Sequence, residues 1–189
     1  MPRVEDLNVE TLTPEQKAVH ARIAGSRGGV VRGPFAIWMR NPAIADAADK
    51  LGTTLRNGKL DVRLFELMVL VIARHWTAQY EWYAHRRLAQ EAGLSQAVID
   101  AIAAGKRPTT MQPDEEAVYT FCTELITTKQ VSDKTFQMAK DKFGERGVVD
   151  LIGVTGYYGL VSMLLNVDRY PLPQGVQPEL RPVPQSSAP

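Results

Sequence analysis

One cysteine, Cys122, occurs in 189 residues. Without a second thiol, an intrachain disulfide, a CxxC redox pair and a multi-thiolate metal site are all excluded. Charge of one sign is equally scarce. Lys+Arg 22 against Asp+Glu 21 leaves a formal +1, so no global field draws in a phosphate backbone or an anionic bilayer, and neither nucleic acid nor membrane is an expected partner. No uncharged run of bilayer-spanning length is read, and Met1 to Glu10 carries three acids and no signal-peptide core. A soluble, cytoplasmic protein is the expectation. Period-2 alternation, Asn-Gly hairpins and solenoid-range repeats are missing, which argues against sheets and repeat arrays. GxxxxGK[ST], HExxH and GxSxG are missing too, removing the P-loop, the HExxH zinc site and the nucleophile elbow.

What is present is ordinary for one globular domain: 44% apolar and 23% charged residues, punctuated by glycine and proline at helical intervals. The fold class expected is all-α. Thr13-Pro14 with Gln16 reads as a capping box opening a helix toward Gly25. The glycine-rich stretch 25–34 is a loop leading through Phe35, Ile37 and Trp38 to Asn41-Pro42, which caps a helix running to Gly58. Asp61 caps a third helix, apolar from Leu64 to Ala73 at every position except Glu66. After a break near His75 to Thr77, a fourth runs from Gln79 to Ala92 and stops at Gly93. Ser95 caps a short fifth helix ending at Gly105. Asp114 to Thr127 follows, then a Ser132-capped segment to Phe143 that Gly144 closes, and a last helix from Glu145 to Asn166. Residues 1–170 form the helical domain. Six of the twelve prolines fall in residues 171–189, a tail expected to be extended or disordered and to lack a core face.

Glu66 is the first anomaly, because an ionised carboxylate in an apolar helix needs a partner, a proton, or a wet stripe to sit on. Glu81 and His85 are four apart and share one helix face. A carboxylate beside an imidazole raises its pKa and fixes its tautomer, which suits proton transfer near neutral pH, although a solvated pair has the same spacing. The midpoint of positions 66 and 85 falls in the predicted break at 75–77. At about 1.5 Å per residue the two therefore lie level on adjacent antiparallel helices, and facing sides bring two acids and a histidine into one pocket.

The run Glu66-Leu-Met-Val-Leu-Val-Ile-Ala-Arg-His-Trp-Thr-Ala-Gln-Tyr-Glu81-Trp82-Tyr-Ala-His85, followed by Leu88-Ala89-Gln-Glu-Ala-Gly93-Leu94-Ser95, resembles the carboxymuconolactone decarboxylase family, which includes the alkylhydroperoxidase D branch. The likeness extends through Gly33-Pro34-Phe35, Asn41-Pro42 and Leu51-Gly52 upstream, and Gly156-Tyr157-Tyr158 and Leu165-Asn166 downstream. It implies an alkylhydroperoxidase D-like helical bundle around a central antiparallel hairpin. The redox branch uses a glutamate, a CxxC pair and a histidine four residues beyond it. Glu66 and His85 match, but Ala78 and Glu81 stand where the cysteines would be, which contradicts a disulfide cycle. The resemblance then implies the cysteine-free branch, in which a small carboxylated lactone loses carbon dioxide without metal or organic cofactor. It also implies a homo-oligomer, trimer or hexamer; Val148 to Leu165, with Gly153, Gly156 and Gly159 in steps of three, is the expected interface.

That chemistry can be phrased with these residues. Carbanion density left by departing carbon dioxide is held by a conjugated carbonyl and then protonated. His85 is the candidate proton donor, Glu81 orients and charges it, and Glu66 is a second acid or the partner that positions the ring. Arg40 meets a substrate carboxylate if the segment 35–40 folds over the pocket. Trp38, Trp76, Trp82, Tyr80 and Tyr158 line a cavity for a flat molecule or else belong to core and interface. Arg74, His75 and His20 read as solvated or capping, and Cys122 as a buried small hydrophobe. A metal held by Glu66, Glu81 and His85 is conceivable. Three functions stay open: a lyase of small cyclic acids, a hydroperoxidase working with other residues, and a non-catalytic binder using the same pocket.

Overall fold

Caps written in the sequence start most of the helices. The computed structural model describes residues 2–5 and 7–182 and contains no strand among them. Eight helices follow in order: α1 (Pro14–Gly25), α2 (Pro34–Trp38), α3 (Pro42–Arg56), α4 (Val62–Trp76), α5 (Gln79–Glu91), α6 (Gln96–Ala103), α7 (Pro113–Thr128) and α8 (Asp133–Asp168). The Thr13/Gln16 capping box closes in both directions at α1. Asn41, Asp61, Ser95 and Ser132 accept backbone N–H bonds at the starts of α3, α4, α6 and α8, each satisfying a donor that the first turn leaves free.

Two elements differ from expectation. The lead-in to Asn41 winds into the short α2, because Pro34 presets the first helical φ behind Gly33. Gly33 has φ 62, and a Cβ there would lie 2.9 Å from the Tyr80 ring. The two expected C-terminal helices join into one α8 whose only non-helical residue is Gly144, at φ 70 and ψ 176. Glycine alone crosses that region at little cost, so the predicted break survives as a kink.

α4 is the central rod. Every residue from Leu64 to Arg74 is buried, and α4 packs against α5, α7 and α8. The helix must therefore be apolar all round, and over that stretch it is, Glu66 and the terminal Arg74 excepted. The α4–α5 turn is tight: Thr77 takes a left-handed conformation (φ 50), and the Ala78 N–H bonds back to the Ala73 carbonyl at 2.8 Å. This closes the hairpin that sets α5 antiparallel beside α4. α8 holds an 18-residue window of mean hydropathy 1.6, half of it buried inside the protein, so a helix of membrane-spanning length and apolarity is present after all. Its inner face packs on α4 and α7 as a core helix does.

The tail departs most from the sequence reading. Residues 171–182 form no helix, yet Leu180 is buried in the core. The Gln79 side-chain amide grips Leu180 from both sides: Nε2 donates to its carbonyl at 2.6 Å, and its N–H donates to Oε1 at 3.2 Å. Trp82 Nε1 donates to Glu179 at 3.1 Å, and Arg74 donates to the Arg181 carbonyl at 2.8 Å. A single leucine gives the tail a core face that its proline content disguises. Residues 183–189, the rest of the predicted tail, lie outside the described residues.

Candidate functional site

α4 contributes Glu66 and α5 contributes Glu81 and His85, and the hairpin brings all three together. Glu66 Oε2 lies 2.6 Å from His85 Nδ1, and Glu81 Oε1 lies 3.1 Å from His85 Nε2. All three side chains are buried, at 5%, 3% and 6% exposure respectively. Glu66 thus sits on no wet stripe, and Glu81–His85 is no solvated pair. Burial opposes charge on the ring, but Glu81 and then Glu66, by field and hydrogen bond, outweigh it and push the His85 pKa up to about 9. The two acids thus favour the protonated ring.

The bridging also bears on metal binding. The carboxylates approach opposite ring nitrogens, so the three groups do not converge on a common point. Among the described residues no group of three or more His, Cys, Asp or Glu is arranged to hold an ion. Cys122 is fully buried, and burial pushes its thiol up to about 12, leaving it an inert apolar filler as expected.

His85 forms part of the wall of a cleft of about 970 Å³ between the α1–α2 loop, the end of α3, α5 and the start of the tail. No Asp or Glu lines it, whereas Arg27, Arg32, Arg56 and Arg87 do. Arg27 is engaged by Asp49 at 3.2 Å and lies over Phe35, and Arg87 pairs with Glu91 at 2.7 Å. Arg32 and Arg56 make no ion pair among the described residues. Arg56 is placed 5.8 Å over the rings of both Phe65 and Tyr158, next to the His85 layer.

The expected substrate contacts fare unevenly. Arg40 does not reach the cleft; it donates to the Ala36 carbonyl at 2.7 Å and to the Glu5 carbonyl, tying α2 to the N-terminal segment. Trp38 is core, packed edge-on against Phe35 and tilted against Tyr157. Trp82 is buried and spent on Glu179. Neither tryptophan lines the cleft, and Tyr158 lies behind His85, its ring edge-to-face at 5.3 Å. Of the five aromatics, Tyr80 alone forms cleft wall. Arg74 is buried rather than solvated, held by the tail. Arg32 and Arg56 were missed. An arginine in a loop or in the last turn of a helix carries no signal of its own, and only the packing of α3 beside α5 gives Arg56 its place.

Residues 42–124 match the model of the carboxymuconolactone decarboxylase family. Among curated proteins no sequence match is found. Two crystal structures share the fold. One, described as an alkylhydroperoxidase AhpD core, is an uncharacterized peroxidase-related protein from Ralstonia eutropha JMP134, with TM-score 0.73 and 17% identity over 88% of this chain and 89% of that one. The other is an uncharacterized peroxidase-related protein from Silicibacter sp. TM1040, with TM-score 0.71 and 14% identity over 89% and 90%. At those identities the likeness is one of fold.

Proposed function

We propose, from the match of residues 42–124 to the carboxymuconolactone decarboxylase family model, that the chain is a member of that family and a lyase that decarboxylates a small carboxylated lactone or related cyclic acid by acid/base chemistry, without a cofactor. The observation that carries the reading is the buried Glu66–His85–Glu81 bridge, whose histidine opens on a cleft lined by four arginines and by no Asp or Glu. Arg56, with Arg32, takes the place first given to Arg40 as the partner of a substrate carboxylate.

As the bond to the carboxylate breaks, carbon dioxide departs and the electron pair moves into the conjugated carbonyl. The carbon left behind then takes a proton. Of the two bonds to the ring, that at Nε2 is the longer, 3.1 Å against 2.6 Å. Nε2 is therefore the nitrogen to release its proton, while Glu66 keeps Nδ1–H and the tautomer fixed. Solvent recharges the ring.

A hydroperoxidase reading has less support from the residues. Ala78 and Glu81 replace the cysteine pair, and Cys122 is sealed in the core. Assembly into a homo-oligomer is part of the proposal, with the interface on the outer face of α8. The test is carbon dioxide release from a panel of carboxylated lactones by wild type and His85→Ala. Release by wild type that falls at least 100-fold in the variant is the expected result. Release untouched by the substitution removes His85 from the reaction, and no release from any panel member favours a binding role.

A further inference from the structure

The C-terminal tail does more than cap the core. Tyr170 and the residues that follow it, Pro171, Leu172 and Pro173, line the same cleft as His85. Tyr170 Oη accepts the Gly33 N–H at 3.0 Å, and its ring stands edge-on against Tyr80 at 4.7 Å. Tyr80 precedes His85 on α5 by about 7.5 Å of helix rise, so the tail meets α5 beside the candidate site. The far end of the tail is fixed by the buried Leu180, by Gln79, and by Glu179, which pairs with Arg86 at 3.2 Å. Between these anchors, residues 171–178 make one hydrogen bond among the described residues, from the Val176 N–H to the Pro173 carbonyl at 3.1 Å. That bond is internal to the stretch. The segment is a strap held at its ends.

Leu172 is the side chain that the strap brings to the cleft. It is half-buried, yet it does not join the hydrophobic core, whereas Tyr170 and Leu180 on either side of it do. The α1–α2 loop and the end of α3 line the cleft with polar and charged side chains only, and its large aliphatic surface comes from Leu88 on α5 and Leu172 on the tail. An aliphatic side chain that faces a cationic cleft without serving the core is placed to cover the apolar body of a ligand. We infer that Leu172 contacts substrate: Arg56 and Arg32 take the carboxylate, and Leu172 covers the ring carbons. Leu180, further along the strap, holds that wall in position. No covalent bond forms or breaks in this role. The inference rests on the reading given under Proposed function and adds a residue that touches substrate from outside the family-matched segment 42–124.

The experiment measures binding of 5-oxotetrahydrofuran-2-carboxylate, a saturated lactone acid, to the full chain by calorimetry, with urea unfolding alongside. The proteins are wild type, Leu172→Ala, Leu180→Ala and Gln177→Ala, the last at an exposed strap position off the cleft. Expected is a Kd weaker by about fivefold or more in Leu172→Ala at an unchanged urea midpoint, because an aliphatic contact to the ligand is lost and no core packing with it. Leu180→Ala loosens the anchor, so its affinity and its midpoint both fall, and Gln177→Ala matches wild type in both. Equal affinity of Leu172→Ala and wild type overturns the assignment while leaving the lactone-acid reading intact. A lower urea midpoint in Leu172→Ala also overturns it, because the side chain then serves the fold, and so does an equal loss of affinity in Gln177→Ala. Wild-type affinity in Leu180→Ala rejects the anchoring. If wild type itself binds none of this probe, the reading of the substrate class fails and the role of Leu172 falls with it.

Discussion

His85 carries a consequence for stability as well as for chemistry. Its folded pKa, about 9, stands above the ordinary 6.5. Below pH 6.5 both folded and unfolded chains hold the proton and the whole stabilisation is present. Between 6.5 and 9 the unfolded chain loses its proton first, so stability declines, by about 3 kcal/mol in all, and above 9 that contribution is gone. Urea midpoints at pH 6 and pH 9.5 check this, with His85→Gln as the reference that lacks the titration. A wild type whose pH slope equals that of the variant rejects a charged ring. Arg56 belongs to the same scale. Arg56→Ala leaves the Glu66–His85–Glu81 bridge untouched and removes a cation from the cleft, so KM rises about tenfold or more with kcat changed less. The reverse split would take Arg56 out of substrate binding.

Among the elements, α4 and α5 owe their register to the turn at Thr77–Ala78, and the tail reinforces the same hairpin from outside. Gln79, Trp82 and Arg74 all hold the segment 179–181, and Leu180 caps the core. Deleting residues 174–189 removes one buried leucine and the hydrogen bonds around it, while freeing the ordered chain. The net expectation is a loss of about 1–2 kcal/mol, read as a lower urea midpoint with an unchanged helical spectrum. A chain that unfolds at the same urea concentration after the deletion shows that the segment only rests on the surface. Thr13, Asn41, Asp61, Ser95 and Ser132 were legible as caps because capping is local: the side chain answers N–H groups two or three residues away. α2 escaped notice because five residues offer no periodicity to read.

For the molecule as a whole, the outer face of α8 is the feature without a partner. Val149, Ile152, Leu160, Met163 and Val167 recur at helical spacing and are exposed, the two valines at 66% and 64%. Gly156 sits in the same stripe, and Trp76 flanks it beside Gly159. An exposed uncharged stripe of this kind is a surface that the proposed homo-oligomer would cover. The expected outcome is an oligomer by light scattering at micromolar concentration that dissociates in the double variant Ile152→Asp, Met163→Asp. A wild type that runs as a monomer over that range removes the interface.

The sequence by itself determined the helical class, nearly all helix starts, an interruption at Gly144 (read as a helix end, found as a kink), and the pairing of Glu66 with Glu81 and His85. Each of these depends on periodicity, a local cap, or the symmetry of a hairpin about its turn. Only the tertiary structure decided that Arg56 and Arg32 rather than Arg40 face the cleft, that Trp38 and Trp82 are core, and that a proline-rich tail buries Leu180. Those outcomes depend on which distant helix packs beside which. A side chain is assigned to core, cleft or solvent by neighbours remote in the chain, and no spacing along one helix records them.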